Sequence, residues 1–435
     1  MNIKALLKGK ESRNALWLIG GKVAQMVLSV FVGILSARYL GPSNSGLIGY
    51  GNAFTAFFMS LCTLGINSII VKEFIDNPDE QGEIIGTTLV LRLLSSLCSS
   101  VLVISASFLL DYGEWETVTV VALCSLSLLF HVLDTIQYWF QAQYKSHVTA
   151  IALLVAYIAT SAYKVLLLIL GKSVFWFAVA TSLDYLVLGV LLYIFYKCHH
   201  GPKFRFSWRK GRDLLSKSYH YILSGLMVAV YAQTDKLMLK QMMDEASVGY
   251  FTTAVSLCSM WTFVLSAIID AMTPTIVRAH ESDPADFDRK NKQLYAIIFY
   301  LSALASVFFL IFGDLAVRIL YGEEFMGAAA PLKVLTWYTA FSYFGVARNP
   351  WVVCKEKQRY LKYIYVAAAI LNVFLNIYFI PALGVVGAAT ASLVTQIMTS
   401  IIIPCFIKEL RPNVKLILEA ICLKGVLRDD RPTSD

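Results

Sequence analysis

Charge is scarce in this sequence: 15% of its 435 residues are Asp, Glu, Lys or Arg, against roughly 25% in an ordinary soluble domain. Catalytic signatures are missing as well. No Cys-x-x-Cys pair, His-Glu-x-x-His or Gly-x-Ser-x-Gly occurs, so neither a metal centre nor a serine nucleophile is signalled, and an enzyme is not expected. Gly171, Lys172 and Ser173 spell the end of a phosphate-binding loop, but Leu166 stands where its first glycine belongs, so no ATPase is built in. The eight cysteines lie in apolar stretches or basic loops and imply no disulfide framework. No cofactor is expected.

What the chain has instead is grease, with 57% hydrophobic residues and a mean hydropathy of +0.64. Apolar stretches of about 20 residues recur from end to end, each long enough to cross a hydrocarbon core of roughly 30 Å as a helix. They predict an all-α integral membrane protein of about twelve transmembrane helices. The expected spans are 14–37, 44–71, 83–110, 117–140, 145–169 and 172–196, then 215–239, 247–277, 293–319, 331–354, 358–380 and 382–407. Lys4, Lys8, Lys10 and Arg13 resemble the start of a signal peptide, but the apolar run continues to Ala37 and includes Lys22, so a retained first helix is expected.

The net charge of +8 does not point to nucleic acid, because the basic residues cluster in short connections where they set topology. Most lie on the side of the N-terminus, whereas Arg38, Lys172, Lys240 and Arg318 lie on the other. Both termini are therefore expected in the cytoplasm. The longest basic connection carries Lys203, Arg205, Arg209, Lys210 and Arg212. It reads as a joint between halves and a topology signal, with contact to lipid headgroups as the alternative. The expected organisation is a six-helix bundle over 1–200, a basic linker over 201–214, a second six-helix bundle over 215–407 and a tail over 408–435. LILGKSVFWFAVATSLDYL and YFIPALGVVGAATASLVTQI share one layout, a weak internal repeat of the kind from which transporters are built.

A charged side chain at mid-membrane costs about 2.5 to 3.5 kcal/mol on insertion scales, so each one kept needs a partner, water or a function. Thr88, Arg92, Ser95 and Ser99 fall on one face of the third span and read as a wet face with a fixed cation. Ser127, His131, Asp134, Gln137, Tyr138 and Gln141 stripe the fourth, Tyr157, Thr160, Ser161 and Lys164 the fifth, and Lys22, Gln25 and Ser29 the first. These stripes predict a hydrated cavity lined by the N-terminal half. The second half offers Tyr231, Thr234, Asp235 and Lys236, then Asp270, Arg348, Asn372 and Asn376. Arg38, Lys240, Arg318 and Lys333 are near enough to the ends to snorkel.

An excess of cations suits a diphosphate, because Arg pairs phosphate oxygens in a bidentate fork and keeps its charge. Arg92, Lys164 and Lys22 are the expected anion site, with Gln25, Asn372 and Asn376 completing a substrate cavity. The competing reading pairs Arg92 with Asp134 or Asp184 inside the bundle. Asp134, Asp184, Asp235 and Asp270 are candidates for a coupling proton or sodium ion. His131 reads as a hydrogen-bonded packing residue, with a proton relay as the alternative. Val414, Leu416, Ile417, Leu418 and Ile421, set among lysines, predict an interfacial helix, and the end from Arg428 is expected to be disordered.

Three segments resemble the bacterial polysaccharide-biosynthesis flippases of the Wzx type, within the superfamily of the multidrug and toxin extruders. They are SARYLGPSNSGLIGYGNAF from Ser36, YAQTDKLMLKQMMDEASVGYFTTAVSL from Tyr231 and IPALGVVGAATASL from Ile380. The resemblance covers nearly the whole chain. It implies two six-helix bundles in pseudo-two-fold relation facing a central cavity. It also implies transport of an oligosaccharide repeat unit on undecaprenyl pyrophosphate, from the cytoplasmic to the outer leaflet of the bacterial inner membrane, by alternating access. Polysaccharide polymerase and a chain-length regulator would be partners beside the membrane lipids. The family's substrate-binding residues vary, so no site is carried over. A multidrug extruder of the same superfamily would be expected to line its cavity with acids. A polymerase or acyltransferase would need a sizeable outer loop or a placed catalytic histidine.

Overall fold

The computed structural model describes residues 10–426, and the side chains of these except 10–27 and Ser224. Among the described residues there is no strand. The first helix, α1 (Lys10–Thr63), is broken at Gly41 (φ 73°, ψ 174°) just before Pro42. Glycine reaches that left-handed φ without a side-chain clash, and proline has no N–H for the helical ladder, so the two residues end one helix and start the next without a loop. Then follow α2 (Ile70–Asp76), α3 (Gln81–Leu110), α4 (Trp115–Phe130), a 3-10 turn His131–Asp134, α5 (Thr135–Ala142), α6 (Ser146–Ile169) and α7 (Val174–Cys198). Next come α8 (Trp208–Met242), α9 (Glu245–Ser282), α10 (Pro284–Leu320), α11 (Ala329–Ala347), α12 (Asn349–Cys354) and α13 (Leu361–Leu383). The last spanning segment is α14 (Val385–Ile397), a π turn Met398–Ile402 and α15 (Ile403–Phe406), and α16 (Arg411–Ile421) ends the described chain.

Among the described residues, eight helical segments are long and apolar enough to cross a membrane by length and composition. They coincide with the expected third to sixth, eighth, ninth, eleventh and twelfth spans. The expected first and second spans fall in α1, the seventh in α8 and the tenth in α11 and α12, all helical but not among the eight. For α8 the reason is plain, since Arg209, Lys210, Arg212, Asp213, Lys217, Asp235, Lys236 and Lys240 dilute its apolar character.

The helices bury polarity and expose grease. In the most apolar stretch of α6 only 22% is buried within the protein. Leu109, Ile169, Leu304 and Phe374 point outward while Ser96, Ser107, Ser302 and Ser306 are buried. A hydrocarbon solvent rewards that pattern and water does not, so this is a multi-pass membrane protein.

The chain divides into two compact units, Met1–Gln233 and Thr234–Asp435, with the division inside α8. In the first, α1 packs on α3, α4 and α6, and α7 on α4 and α6. In the second, α11 packs on α9, α10 and α14, and α13 on α14. The tail helix α16 packs on α10. Its Val414, Leu416, Ile417 and Ala420 are buried, Asn413 Nδ2 donates to Tyr295 Oη at 2.6 Å, and Lys292 meets Glu419 at 2.6 Å. The apolar face expected to lie on the membrane surface is thus turned onto the protein, leaving Leu418 exposed. The end from Arg428 lies outside the described residues.

Candidate functional site

Among the described residues, each unit holds a buried polar cluster around one of the expected site charges. In the first unit it forms where the fourth span gives up regular α-helix at the turn His131–Asp134. Arg92, midway along α3, is fully buried. One guanidinium nitrogen donates to Thr135 Oγ1 at 2.8 Å, and the other meets His131 Nδ1 at 2.8 Å and the His131 carbonyl at 3.2 Å. Arginine has only donors, so Nδ1 must accept, and the imidazole hydrogen sits on Nε2. That nitrogen is 3.3 Å from Asp134 Oδ2. Thr135 accepts from Arg92 and passes its own hydrogen to the Val132 carbonyl at 2.8 Å. The imidazole thus stands between cation and carboxylate, hydrogen-bonded to Arg92 on one side and in charge-pair contact with Asp134 on the other. Arg92 Nε and Asp134 Oδ1 are buried with no protein partner.

Lys164 is elsewhere in this unit's polar lining. It reaches from α6 to Asp184 on α7 at 3.3 Å, and Thr160 also donates to Asp184. The competing pairing foreseen for Arg92 therefore falls to Lys164, while Arg92 has no carboxylate within 4 Å among the described residues. The third-span face expected to be wet is packed: Thr88, Arg92 and Ser99 are buried, and Ser95 donates to the Leu61 carbonyl at 2.6 Å. Polar groups that keep partial exposure include His131, Gln137, Tyr138, Tyr157, Ser161, Lys164, Asp184 and Tyr185, on the fourth span, α6 and α7. Lys22 and Gln25 lie outside the described side chains.

The second unit's cluster is built on Asp235, a buried carboxylate in α8. Oδ1 accepts from Asn372 Nδ2 at 3.1 Å and from Asn376 Nδ2 at 2.6 Å, and Oδ2 accepts from the Ser392 hydroxyl. The two asparagines, one helical turn apart on α13, are joined by an Asn376 Nδ2 to Asn372 Oδ1 bond at 3.1 Å. Asn376 Oδ1 has no protein partner. The structure thus brings together two residues expected at the substrate and one expected at an ion. Asp270 stands apart from them, exposed on α9.

Arg348, also buried, holds backbone. It donates to the Thr399 carbonyl at 3.3 Å and to the Ser400 carbonyl at 2.8 Å. Both carbonyls lie in the π turn, four and five residues before Pro404, whose ring nitrogen has no hydrogen to give them. The cation stands in for the missing donor. Sequence reasoning missed Ser392, Thr135 and this arrangement. Ser392 hides in a run of small residues that reads as helix packing, although Pro404 itself was a usable signal of orphaned carbonyls.

A family profile described as "Polysaccharide biosynthesis protein" matches residues 12–280, more than half of the chain. Among solved structures, the Lipid II flippase MurJ in an inward closed conformation is 14% identical, with a TM-score of 0.72 over 94% of this chain and 91% of that one. An inward-facing multidrug resistance MATE family transporter of the MOP superfamily is 14% identical, with a TM-score of 0.69 over 90% and 94%. A MOP superfamily transporter from Pyrococcus furiosus, described as having a binding pocket of reversed polarity, is 13% identical, with a TM-score of 0.58 over 95% and 98%. No curated protein matches the sequence. At such identities the structural likeness speaks for the fold, and the profile speaks for the family: this chain belongs to the polysaccharide biosynthesis protein family and has the fold of the MOP superfamily transporters.

Proposed function

We propose that this protein is a flippase that moves an oligosaccharide repeat unit on undecaprenyl pyrophosphate from the cytoplasmic to the outer leaflet of the bacterial inner membrane. The product serves assembly of a surface polysaccharide such as O-antigen, capsule or exopolysaccharide. The proposal includes twelve spans, six in each of the bundles 1–200 and 215–407, joined by the linker 201–214. The tail 408–435 and the N-terminus lie in the cytoplasm, and a polymerase and chain-length regulator receive the product. The observation that carries the reading, beside the family, is Arg92: a buried guanidinium whose neighbours within bonding distance are all neutral. A cation kept in a bilayer with no carboxylate in direct contact can take an anion once the turn His131–Asp134 opens, and a diphosphate matches its fork.

In this proposal Arg92, with Lys164 and Lys22, receives the pyrophosphate, and Gln25 helps line its path. Lys164 is released by Asp184 when the anion arrives. Asn372 and Asn376 act through Asp235. That carboxylate, beside the unpartnered Asn376 Oδ1, is the best placed of Asp134, Asp184, Asp235 and Asp270 to take a coupling proton or sodium ion. The same buried carboxylate favours the second reading, a multidrug or cation extruder, because a cationic substrate needs acids.

The test is display of surface polymer in cells that depend on this gene, compared between wild type and Arg92→Ala. Loss of display with undiminished protein in the membrane is the expected result. Full display from Arg92→Ala removes that residue from the mechanism. Unchanged display on deletion of the gene, with increased drug sensitivity, moves the assignment to an extruder.

A further inference from the structure

The connection between α7 and α8 is a strap clamped to the first unit. Residues 199–207 cross the start of α3, where Arg205 N donates to the Gly82 carbonyl at 2.9 Å and Ser207 N donates to Thr87 Oγ1 at 3.0 Å. Behind it, the Tyr196 hydroxyl donates to the Pro202 carbonyl. The seat is made of glycine. A β-carbon at Gly82 would stand 2.4 Å from the Lys203 carbonyl oxygen, and one at Gly86 would stand 2.4 Å from that of Arg205. Glycines one turn apart on α3 let the two backbones touch.

What this mount holds outward is a mixture of two chemistries. Phe206 is 51% exposed and Trp208 70%. On either side of them Lys203, Arg205, Arg209 and Arg212 are exposed. Their neighbours show what a settled cation looks like here: Lys210 meets Glu80 at 2.5 Å, and Lys217 meets Glu73 at 2.7 Å and Asp213 at 2.8 Å. By contrast, Lys203, Arg205, Arg209 and Arg212 have no carboxylate within 4 Å among the described residues. Four cations with no counter-charge among the described residues, set beside large aromatics, leave a surface open to an anionic partner.

We propose that this strap is a docking surface for the anionic headgroups of the bilayer leaflet on the basic side of the protein, with Phe206 and Trp208 seated at headgroup depth. The position selects that occupant. The strap leaves the end of α7 and lies across the beginning of α3, and both helices are long and apolar enough to cross the bilayer. The leaflet surface is therefore the nearest body to it. Trp and Tyr rings, apolar with one polar edge, concentrate at this depth in membrane proteins. Lys and Arg beside them add attraction to an anionic leaflet that fades within a Debye length. Because the strap is already hydrogen-bonded to α3, its backbone need not be ordered anew on contact. Leaflet contact would hold in place the segment that leads into α8, whatever substrate the protein carries.

The full-length protein is reconstituted in phosphatidylcholine vesicles in which a fixed fraction of lipid carries brominated acyl chains, either as phosphatidylglycerol or as phosphatidylcholine. Trp208 emission is taken as the difference between wild type and Trp208→Phe. The proposal expects brominated phosphatidylglycerol to quench it about twofold or more beyond brominated phosphatidylcholine, because headgroup recruitment enriches the anionic lipid near the ring. High salt should abolish that preference, and so should the combined Lys203→Gln, Arg205→Gln, Arg209→Gln and Arg212→Gln variant. Equal quenching by the two lipids overturns headgroup recognition. No quenching by either places Trp208 in water or under a protein partner and overturns the surface itself. If the quadruple variant does not reconstitute, the wild-type salt series decides, and a preference that persists in high salt sinks the proposal.

Discussion

The two polar clusters hold buried charge of opposite sign by opposite means. In the first unit the atoms that touch Arg92 carry no charge; Asp134 stands behind His131, and Asp184 is engaged by Lys164. In the second, Asp235 is surrounded by donors that carry no charge, two amides and a hydroxyl. Neutral hydrogen bonds solvate a buried ion without neutralising it. A packed ion pair would be a structural device that nothing need disturb, whereas a charge held by neutral dipoles keeps its attraction for a mobile counter-ion. Under the function proposed above, the first unit meets an anion and the second a cation.

The strongest way to break that contrast is to reverse its two centres separately. Arg92→Ala should remove transport, and Arg92→Lys should retain only a small part, because a lysine cannot keep bonds to Thr135 and His131 together. Asp235→Asn keeps the size of the side chain and removes the charge. It should lower transport about tenfold or more and erase its dependence on a proton or sodium gradient, measured by uptake into energised vesicles. If Asp235→Asn transports normally with the gradient dependence intact, the second centre is structural and the contrast fails.

Next in size is Arg348, which serves as a control because its acceptors are backbone carbonyls. Arg348→Ala orphans the Thr399 and Ser400 carbonyls and should destabilise the protein by about 3 kcal/mol. Pro404→Ala supplies a backbone N–H in the same place and should recover about 1 kcal/mol or more of that loss in a double-mutant cycle followed by thermal unfolding. Additive effects would show that the arginine does not stand in for proline's missing donor. Smaller again is Gly86→Ala, whose new methyl would push the strap away from α3. Trypsin should then cut after Lys203 or Arg205 about tenfold faster, with no change if the strap is already loose.

The smallest effect concerns the tail. Lys292 holds the Glu419 carboxyl below its ordinary range, with Lys415 and Lys424 adding to it. A depressed carboxylate contributes stability above its unfolded value of 4.5 and loses it as pH falls through the folded value. Docking of α16 should therefore loosen on acidification below that unfolded value, seen as lower amide protection in α16 relative to the intrinsic exchange rate at each pH. Glu419→Gln should exchange at one pH-independent excess, and the difference should stay within about 1 kcal/mol because water screens the pair.

Much of the fold was legible because lipid imposes one simple rule, a long apolar run per crossing, and eight expected spans coincide with helices that satisfy it. The places where the helices depart from regularity were not legible from periodicity. The turn at His131, the π turn before Pro404 and the packing of α16 on α10 depend on what lies beside the chain. The candidate residues were legible one by one, since intramembrane charge stands out against grease. Their partnerships were not. Helical spacing placed Asn372 and Asn376 on one face, but only the fold turns both amides onto Asp235. Arg92 was expected on a hydrated face and is instead sealed between α3 and the fourth span, because His131 and Thr135 reach it across the helix pair.

The break at Gly41 has a wider meaning. Helix α1 runs for 54 residues, which at about 1.5 Å of rise each would be roughly 80 Å if straight, more than twice the thickness of a hydrocarbon core. One torsion therefore does the work that a connecting segment does elsewhere. Nothing at that corner offers slack for an inserted tag or a protease cut, and a bulkier residue there would alter the heading of an entire membrane crossing.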